Sequence, residues 1–239
     1  MRAVFGSMRL TRDIDFDRTP SLSNSSLRGG LVSTLTVAAA NAGISQPAAE
    51  ITKSSDTTVR ARLTGRGPGA DQLRFEVEVS GRRVPDVRYL RRETVIPPAT
   101  YGMAPFLIES YTGNMLAAQK IGAAMSAARN APRDIYDLFD LMTAGVDPAP
   151  SLTEQPASKI AALRGGVLAK LDLVTFNHAR EELLPYLPPA TRETIDAERW
   201  MEYVLHVAEA IERWVEAALD QQRPAPAGKP RPAPKKSRR

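Results

Sequence analysis

The 239 residues contain no cysteine, so disulfides and thiolate metal sites are excluded, and the composition fits a reducing compartment such as the cytoplasm. Histidine is almost as scarce: His178 and His206 stand alone in separate C-terminal helical stretches, too few for an imidazole metal site, and read as structural or exposed. No run of about eighteen apolar residues could span a bilayer. The opening Met1-Arg2-Ala3-Val4-Phe5-Gly6 lacks the apolar core of a secretory signal, so no membrane association is expected. Aromatic residues make up only 6% of the chain; Trp200 and Trp214, fourteen apart on one helical face, read as core rather than a base-stacking platform. Gly29-Gly30 and the cluster from Gly65 to Gly69 lack the strand–loop–helix context of a phosphate loop.

The formal charge of +5 belongs to the C-terminus. Residues 223–239 carry seven Lys or Arg and no acid, so the remainder holds 25 basic against 27 acidic residues and is close to −2. That Pro-, Ala- and Lys-rich tail cannot bury a core and is expected to be disordered. It either adds sequence-independent affinity for nucleic acid or is only a solubilising extension.

The remainder divides into a mixed front and a helical rear. Ile14 and Phe16 alternate with Asp13, Asp15 and Asp17, the period-2 pattern of a half-buried strand with acids on one face. A loop at 20–26 leads to a helix over about 27–42, stopped by Asn41 and Gly43. Residues 50–80 read as β, with Ile51, Val59, Ala61 and Leu63 alternating with polar neighbours. Leu73, Phe75, Val77 and Val79 oppose Arg74, Glu76, Glu78 and Ser80 in the cleanest alternation of the chain. A short strand is expected near 106–110. From Asn114 the spacing of Met115, Leu116, Ile121 and Met125 predicts a helix to about Asn130. A second helix begins at Pro132 and stops at Gly145, followed by helices over about 157–174, 176–185 and 191–221. The predicted class is α+β: a small mixed sheet packed on helices, then a helical C-terminal subdomain. The boundaries are 1–112 for the α/β region, 113–222 for the helical region and 223–239 for the basic tail.

Three sets of residues carry chemistry. Asp13 and Asp15 project from one strand face roughly 7 Å apart, a spacing suited to one or two divalent ions whose shell is completed by substrate phosphates. Glu78, or Glu76, on the polar face of the 73–80 strand would supply a third carboxylate. Lys120 stands in an Ala-rich helix, and Asp134 and Asp137 lie three apart on the next. A lysine beside carboxylates could meet a triphosphate, and a carboxylate could orient or deprotonate an attacking hydroxyl. The plainer alternatives are a solvated strand face for the first set and a Lys–Asp helix contact for the second.

Taken together, Thr11-Arg12-Asp13-Ile14-Asp15-Phe16, Val77-Glu78-Val79-Ser80, Leu116-Ala117-Ala118-Gln119-Lys120 and Pro132-Arg133-Asp134-Ile135-Tyr136-Asp137-Leu138 resemble the AbiEii/AbiGii toxin family. That family is a branch of the DNA polymerase beta-like nucleotidyltransferases, and the match spans about residues 2–145 in order. The resemblance implies a nucleotidyltransferase fold, and Asp13, Asp15 and Glu78 as ligands of Mg²⁺ or Mn²⁺. Lys120 and Asp134 become catalytic, with Lys120 and Arg12 at the nucleotide and Asp137 in a more structural position. It implies the toxin of a toxin–antitoxin pair, moving a nucleotide from a nucleoside triphosphate to RNA such as tRNA, with a cognate antitoxin as partner. A small-molecule acceptor, such as an antibiotic, is a third reading.

Two departures qualify the match. The family carries Gly-Gly or Gly-Ser on a helix about ten residues before the Asp-x-Asp, where close backbone approach holds the triphosphate. Here Gly6-Ser7 is only five residues from Asp13, and Arg2 to Gly6 looks like the stretch after that motif. Either the chain starts downstream of the true start, or it is a truncated, catalytically impaired relative that binds without transferring. Gln119 also replaces an acid often found before the lysine.

Overall fold

The computed structural model describes residues 2–223 except 12, 20, 68, 70, 83–85, 98 and 100–102. The nucleotide contact expected of Arg12, and the tail beyond Arg223, lie outside the described residues.

A four-stranded sheet forms the front. After a single turn of helix, α1 (Arg2–Phe5), come β1 (Asp13–Asp17), α2 (Asn24–Asn41), β2 (Ser45–Ser54), β3 (Thr58–Arg66) and β4 (Gln72–Ser80). Spatial order is β1-β4-β3-β2; β1 runs parallel to β4 and the other pairings are antiparallel. Because strand side chains alternate, one pleat collects the apolar residues. Val59, Val77 and Val79 pack with Phe75 and Ile51 against Leu27, Leu31 and Leu35 of α2. The opposite pleat is charged, with Asp15 beside Glu78 and Arg60 beside Glu78 in register.

The strands over 50–80 and the helix beginning near Leu27 match the sequence reading, with local differences. Helix α2 starts three residues earlier because Ser23 caps it, its side chain accepting the Ser26 N–H at 3.1 Å. It stops at Gly43, whose φ of +78° closes the end, with Ile44 N–H donating to Ala39 O at 3.0 Å. Ile14 and Phe16 are 38% and 52% exposed rather than half-buried. The reason is that β1 is an edge strand and α2 lies over β2 and β3. Gly65 belongs to β3, paired with Leu73, where a Cβ would collide with the Ile44 side chain.

A separate antiparallel pair, β5 (Leu90–Val95) with β6 (Phe106–Tyr111), leads into the helical rear. The expected strand near 106–110 is β6; β5, with Arg91, Arg92 and Glu93 inside it, has too little apolar alternation to be read from sequence. Helices α3 (Gly113–Ala124) and α4 (Pro132–Thr143) pack on each other, so α3 ends six residues short of the expected Asn130.

The short helices α5 (Ala149–Leu152), α6 (Ala157–Ala161), α7 (Val167–Asp172) and α8 (Phe176–Glu182) pack on α10 (Ala197–Gln222), and α9 (Pro189–Arg192) precedes it in the chain. The single helix expected over 157–174 is two, because Gly165 and Gly166 at φ +80° and +66° turn the chain out of the right-handed region. The expected start near 191 belongs to α9; α10 begins at Ala197 and is capped by Asp196, whose carboxylate accepts the Arg199 N–H at 2.8 Å. Trp200 is buried, and its indole N–H donates to Val174 O at 2.8 Å. His178 closes a capping box, its Nδ1 accepting the Thr175 N–H. Among the described residues no helix is long and apolar enough to cross a membrane.

Candidate active site

The charged pleat of the sheet faces the middle of α3 and the first turn of α4 across a cavity of about 590 Å³. Asp13, Asp15 and Glu78 line the sheet side, and Lys120, Arg129 and Arg133 the helix side. The sequence-predicted carboxylates and the lysine, drawn from positions 13 to 120, therefore meet in one cleft. Asp134 is close by but not in its lining.

Each group is held by a physical partner. Lys120 lies between two buried carboxylates, its Nζ 3.0 Å from Asp134 Oδ1 and 2.7 Å from Asp137 Oδ2. Two of its three ammonium protons are thus engaged inward, while its side chain remains 24% exposed toward the cleft. Asp137 is fully buried and also grips Arg9 in a two-pronged pair, at 2.9 and 3.0 Å. Burial alone would raise its carboxyl, but the charges of Lys120 and Arg9 and their hydrogen bonds outweigh that and hold it below the ordinary value. Asp134 is 1% exposed, and its second oxygen lies 2.8 Å from Arg129 Nε. As placed, Asp134 holds two cations of the cleft and does not itself open onto it.

On the sheet side the acids are crowded. Burial raises the Asp15 carboxyl, and the neighbouring Glu78 and Asp13 raise it further; Arg133 and Lys120 offset only part of this. Glu78 is tied to Arg60 of β3, whose Nε is 2.9 Å from Oε2. Arg62 holds Glu76 at 3.2 Å and keeps its carboxyl low in spite of partial burial. Arg133 Nη1 stands 3.7 Å from Asp13 Oδ2, and the Tyr111 hydroxyl donates to Asp17 Oδ2 at 2.6 Å.

These contacts bear on whether a divalent ion fits. Among the described residues no three acidic or histidine side chains converge tightly enough to hold an ion by themselves. The crowding that raises Asp15 is nevertheless what a cation would relieve, and Asp13 and Asp15 share the cleft-facing side of one strand. The donor set suits an ion such as Mg²⁺ bound by one or two carboxylates, with phosphate and water completing its shell. Arg60 holds Glu78 through Oε2 alone, so any part Glu78 takes in that set falls to Oε1.

Sequence reasoning did not find Arg9, Arg60, Arg129, Arg133 or Tyr111. A signal existed for Arg133, beside Asp134 in the first turn of α4, and for Arg60, on the polar side of the β3 alternation. The pairings of Arg9 with Asp137 and of Tyr111 with Asp17 span 128 and 94 residues and left no local trace.

Comparison with known proteins places these observations. The sequence model of the family described as nucleotidyl transferase AbiEii toxin, type IV toxin–antitoxin system, matches residues 1–221. No curated protein matches the sequence. Among solved structures, JHP933 from Helicobacter pylori superposes with a TM-score of 0.57 at 19% identity, covering 91% of this chain and 82% of its own. A second H. pylori protein, assigned to the nucleotidyltransferases, superposes with a TM-score of 0.52 at 18% identity, covering 87% and 80% respectively. At such identities the two structures share the fold.

Proposed function

The chain belongs to the AbiEii nucleotidyl transferase toxin family of type IV toxin–antitoxin systems, and on that premise we propose that it transfers a nucleoside monophosphate from a nucleoside triphosphate to RNA, in the cytoplasm and under control of a cognate antitoxin. The observation that supports this is the two-sided charge of the cleft, with Asp13, Asp15 and Glu78 on the sheet, where Arg60 pairs with Glu78, and Lys120, Arg129 and Arg133 across from them. A metal–triphosphate pair has the complementary arrangement, its cation toward Asp13 and Asp15 and its phosphates toward Lys120, Arg129 and Arg133.

In the proposed step an acceptor hydroxyl attacks the α-phosphorus in line. A new phosphorus–oxygen bond forms as the α–β bridge breaks, pyrophosphate leaves, and the hydroxyl proton passes to the carboxylate face of the cleft. A bound Mg²⁺ or Mn²⁺ would supply neutralisation of the charge that builds on the phosphates. Lys120 draws the triphosphate to the helix side, and fixed donors there need no reorganisation during transfer. Asp134 acts through Lys120 and Arg129, holding both at the cleft edge, and is a positioning residue in this scheme.

A second reading, a chain that binds nucleotide without transferring it, draws on the Arg60–Glu78 pair, which engages one oxygen of the third acid. Transfer of label from each of the four nucleoside triphosphates to total RNA, with Mg²⁺ or Mn²⁺, separates the two. The enzyme reading expects labelling that disappears in Asp13→Ala and falls in Lys120→Ala. Labelling that survives Asp13→Ala sinks the metal-site assignment; triphosphate binding with no transfer favours the second reading.

A further inference from the structure

Arg9 does not line the acid-lined cleft, yet it shares a carboxylate oxygen with the lysine that does. Its Nε donates to Asp137 Oδ1 at 2.9 Å and its Nη2 to Asp137 Oδ2 at 3.0 Å. The same Oδ2 is 2.7 Å from Lys120 Nζ. Asp137 is fully buried and the Arg9 side chain is only 13% exposed, so water screens this competition weakly. The segment between α1 and β1 that carries Arg9 is pinned on its other side, where Leu10 N–H donates to Tyr186 O at 2.7 Å.

The cations gathered on α4 outnumber its acids. Lys120 pairs with Asp134 and Asp137, Arg129 with Asp134, and Arg9 with Asp137, so three cations share two buried carboxylates. Asp140 adds no ion pair among the described residues, and burial raises its carboxyl. One positive charge is therefore left over. Arg9 is turned inward on Asp137, whereas Lys120 and Arg129 line the cleft, so the surplus is presented there. Without Arg9 two cations would face two carboxylates, and both oxygens of Asp137 would be left to Lys120 alone.

We propose that Arg9 is a positioning residue for triphosphate binding. By occupying Asp137 it keeps Lys120 from being neutralised from the interior, and so leaves the lysine charge available to phosphate in the cleft. The assignment rests on the nucleotidyltransferase reading given above, and adds to it a residue that acts on the substrate only through Asp137 and Lys120. This role differs from plain support of the fold in one measurable way. A competitor for a carboxylate becomes dispensable once that carboxylate is gone, whereas a structural anchor does not.

The test measures binding of a fluorescent nucleoside triphosphate analogue, with Mg²⁺, to the full chain, beside a thermal melt of each variant. Arg9→Gln is expected to weaken binding by about tenfold or more, the scale of one charge-assisted contact. Arg9→Lys keeps the charge and is expected to bind close to the wild type. Arg9→Gln combined with Asp137→Asn leaves Lys120 and Arg129 against Asp134, which restores one surplus charge. The double variant is expected to recover most of the lost affinity, even though it melts below the wild type. Equal binding by wild type and Arg9→Gln overturns the role of Arg9, as does a double variant no better than the single or an Arg9→Lys as weak as Arg9→Gln. Should Arg9→Gln not fold, the double variant is compared with the wild type directly, and a tenfold loss there overturns the role. Failure of the wild type to bind the triphosphate overturns instead the nucleotidyltransferase reading beneath it.

Discussion

Lys120 Nζ stands 2.7 Å from Oδ2 of the fully buried Asp137, so the lysine of the cleft is held from the interior face of α4. Asp137 answers to two cations at once, Lys120 and Arg9, and through Arg9 it ties the N-terminal segment to the helical rear.

Asp137→Asn should accordingly destabilise the fold by about 3 kcal/mol, because both cations lose a fully buried counter-charge. Its carboxyl lies below the ordinary 3.8 in the folded chain, so its stabilisation is complete above that value and is lost as pH falls through the lower folded one. Denaturant midpoints measured from neutral to acid pH check both points. The wild type should lose its advantage over Asp137→Asn at the acid end. A difference that persists unchanged into strong acid would refute the assignment.

Asp140 should behave in the opposite sense. Burial raises its carboxyl, as does the charge of Asp137, and contacts with Ser7 and Arg9 offset only part of that. Ionised Asp140 therefore weakens the fold at neutral pH, and the penalty fades as pH falls through its raised folded value. Asp140→Asn is expected to raise the neutral-pH unfolding midpoint, with the gain shrinking in acid. A lowered midpoint at neutral pH would show that the charge itself is wanted.

The pair on β1 separates function from stability. Asp13→Asn and Asp15→Asn remove charge from a crowded acidic face, so neither should lower the unfolding midpoint appreciably. Each should nevertheless cut nucleotide transfer by about a hundredfold or more, since loss of metal-assisted charge stabilisation is worth several kcal/mol. Transfer assays beside thermal melts decide this, and equal loss of both would point to a structural role.

Arg60→Ala releases Glu78 from its guanidinium partner. Titration with Mn²⁺, followed by calorimetry, should show tighter ion binding than in the wild type, because both oxygens of Glu78 become available beside Asp13 and Asp15 and a neighbouring positive charge is removed. Weaker binding would mean that Arg60 orients Glu78 for the ion instead of withholding it.

Much of this architecture is local, and local patterns are legible. The alternation of Leu73 to Ser80 gave both faces of β4. The same period put Asp13, Asp15 and Asp17 on one side of β1, although edge placement left Ile14 and Phe16 exposed. Pro132 and Gly145 bracketed α4, and the spacing of Trp200, Val204, Val207, Ile211 and Trp214 marked the buried stripe of α10. The order of the acid, lysine and aspartate motifs pointed to the family that the comparison then showed.

Only the tertiary structure decided how those pieces meet. Parallel pairing of β1 with β4 brings Asp15 beside Glu78 across sixty-three positions of sequence, and no property of either segment specifies that register. The grip of Arg60 on Glu78 and the burial of Asp134 behind Lys120 both depend on side chains reaching across elements. Hydrophobic periodicity determines which face of a strand or helix turns inward, because burial is a property of each segment. Which charge finds which partner is set by the packing of segments against one another, and that exists only in the folded chain.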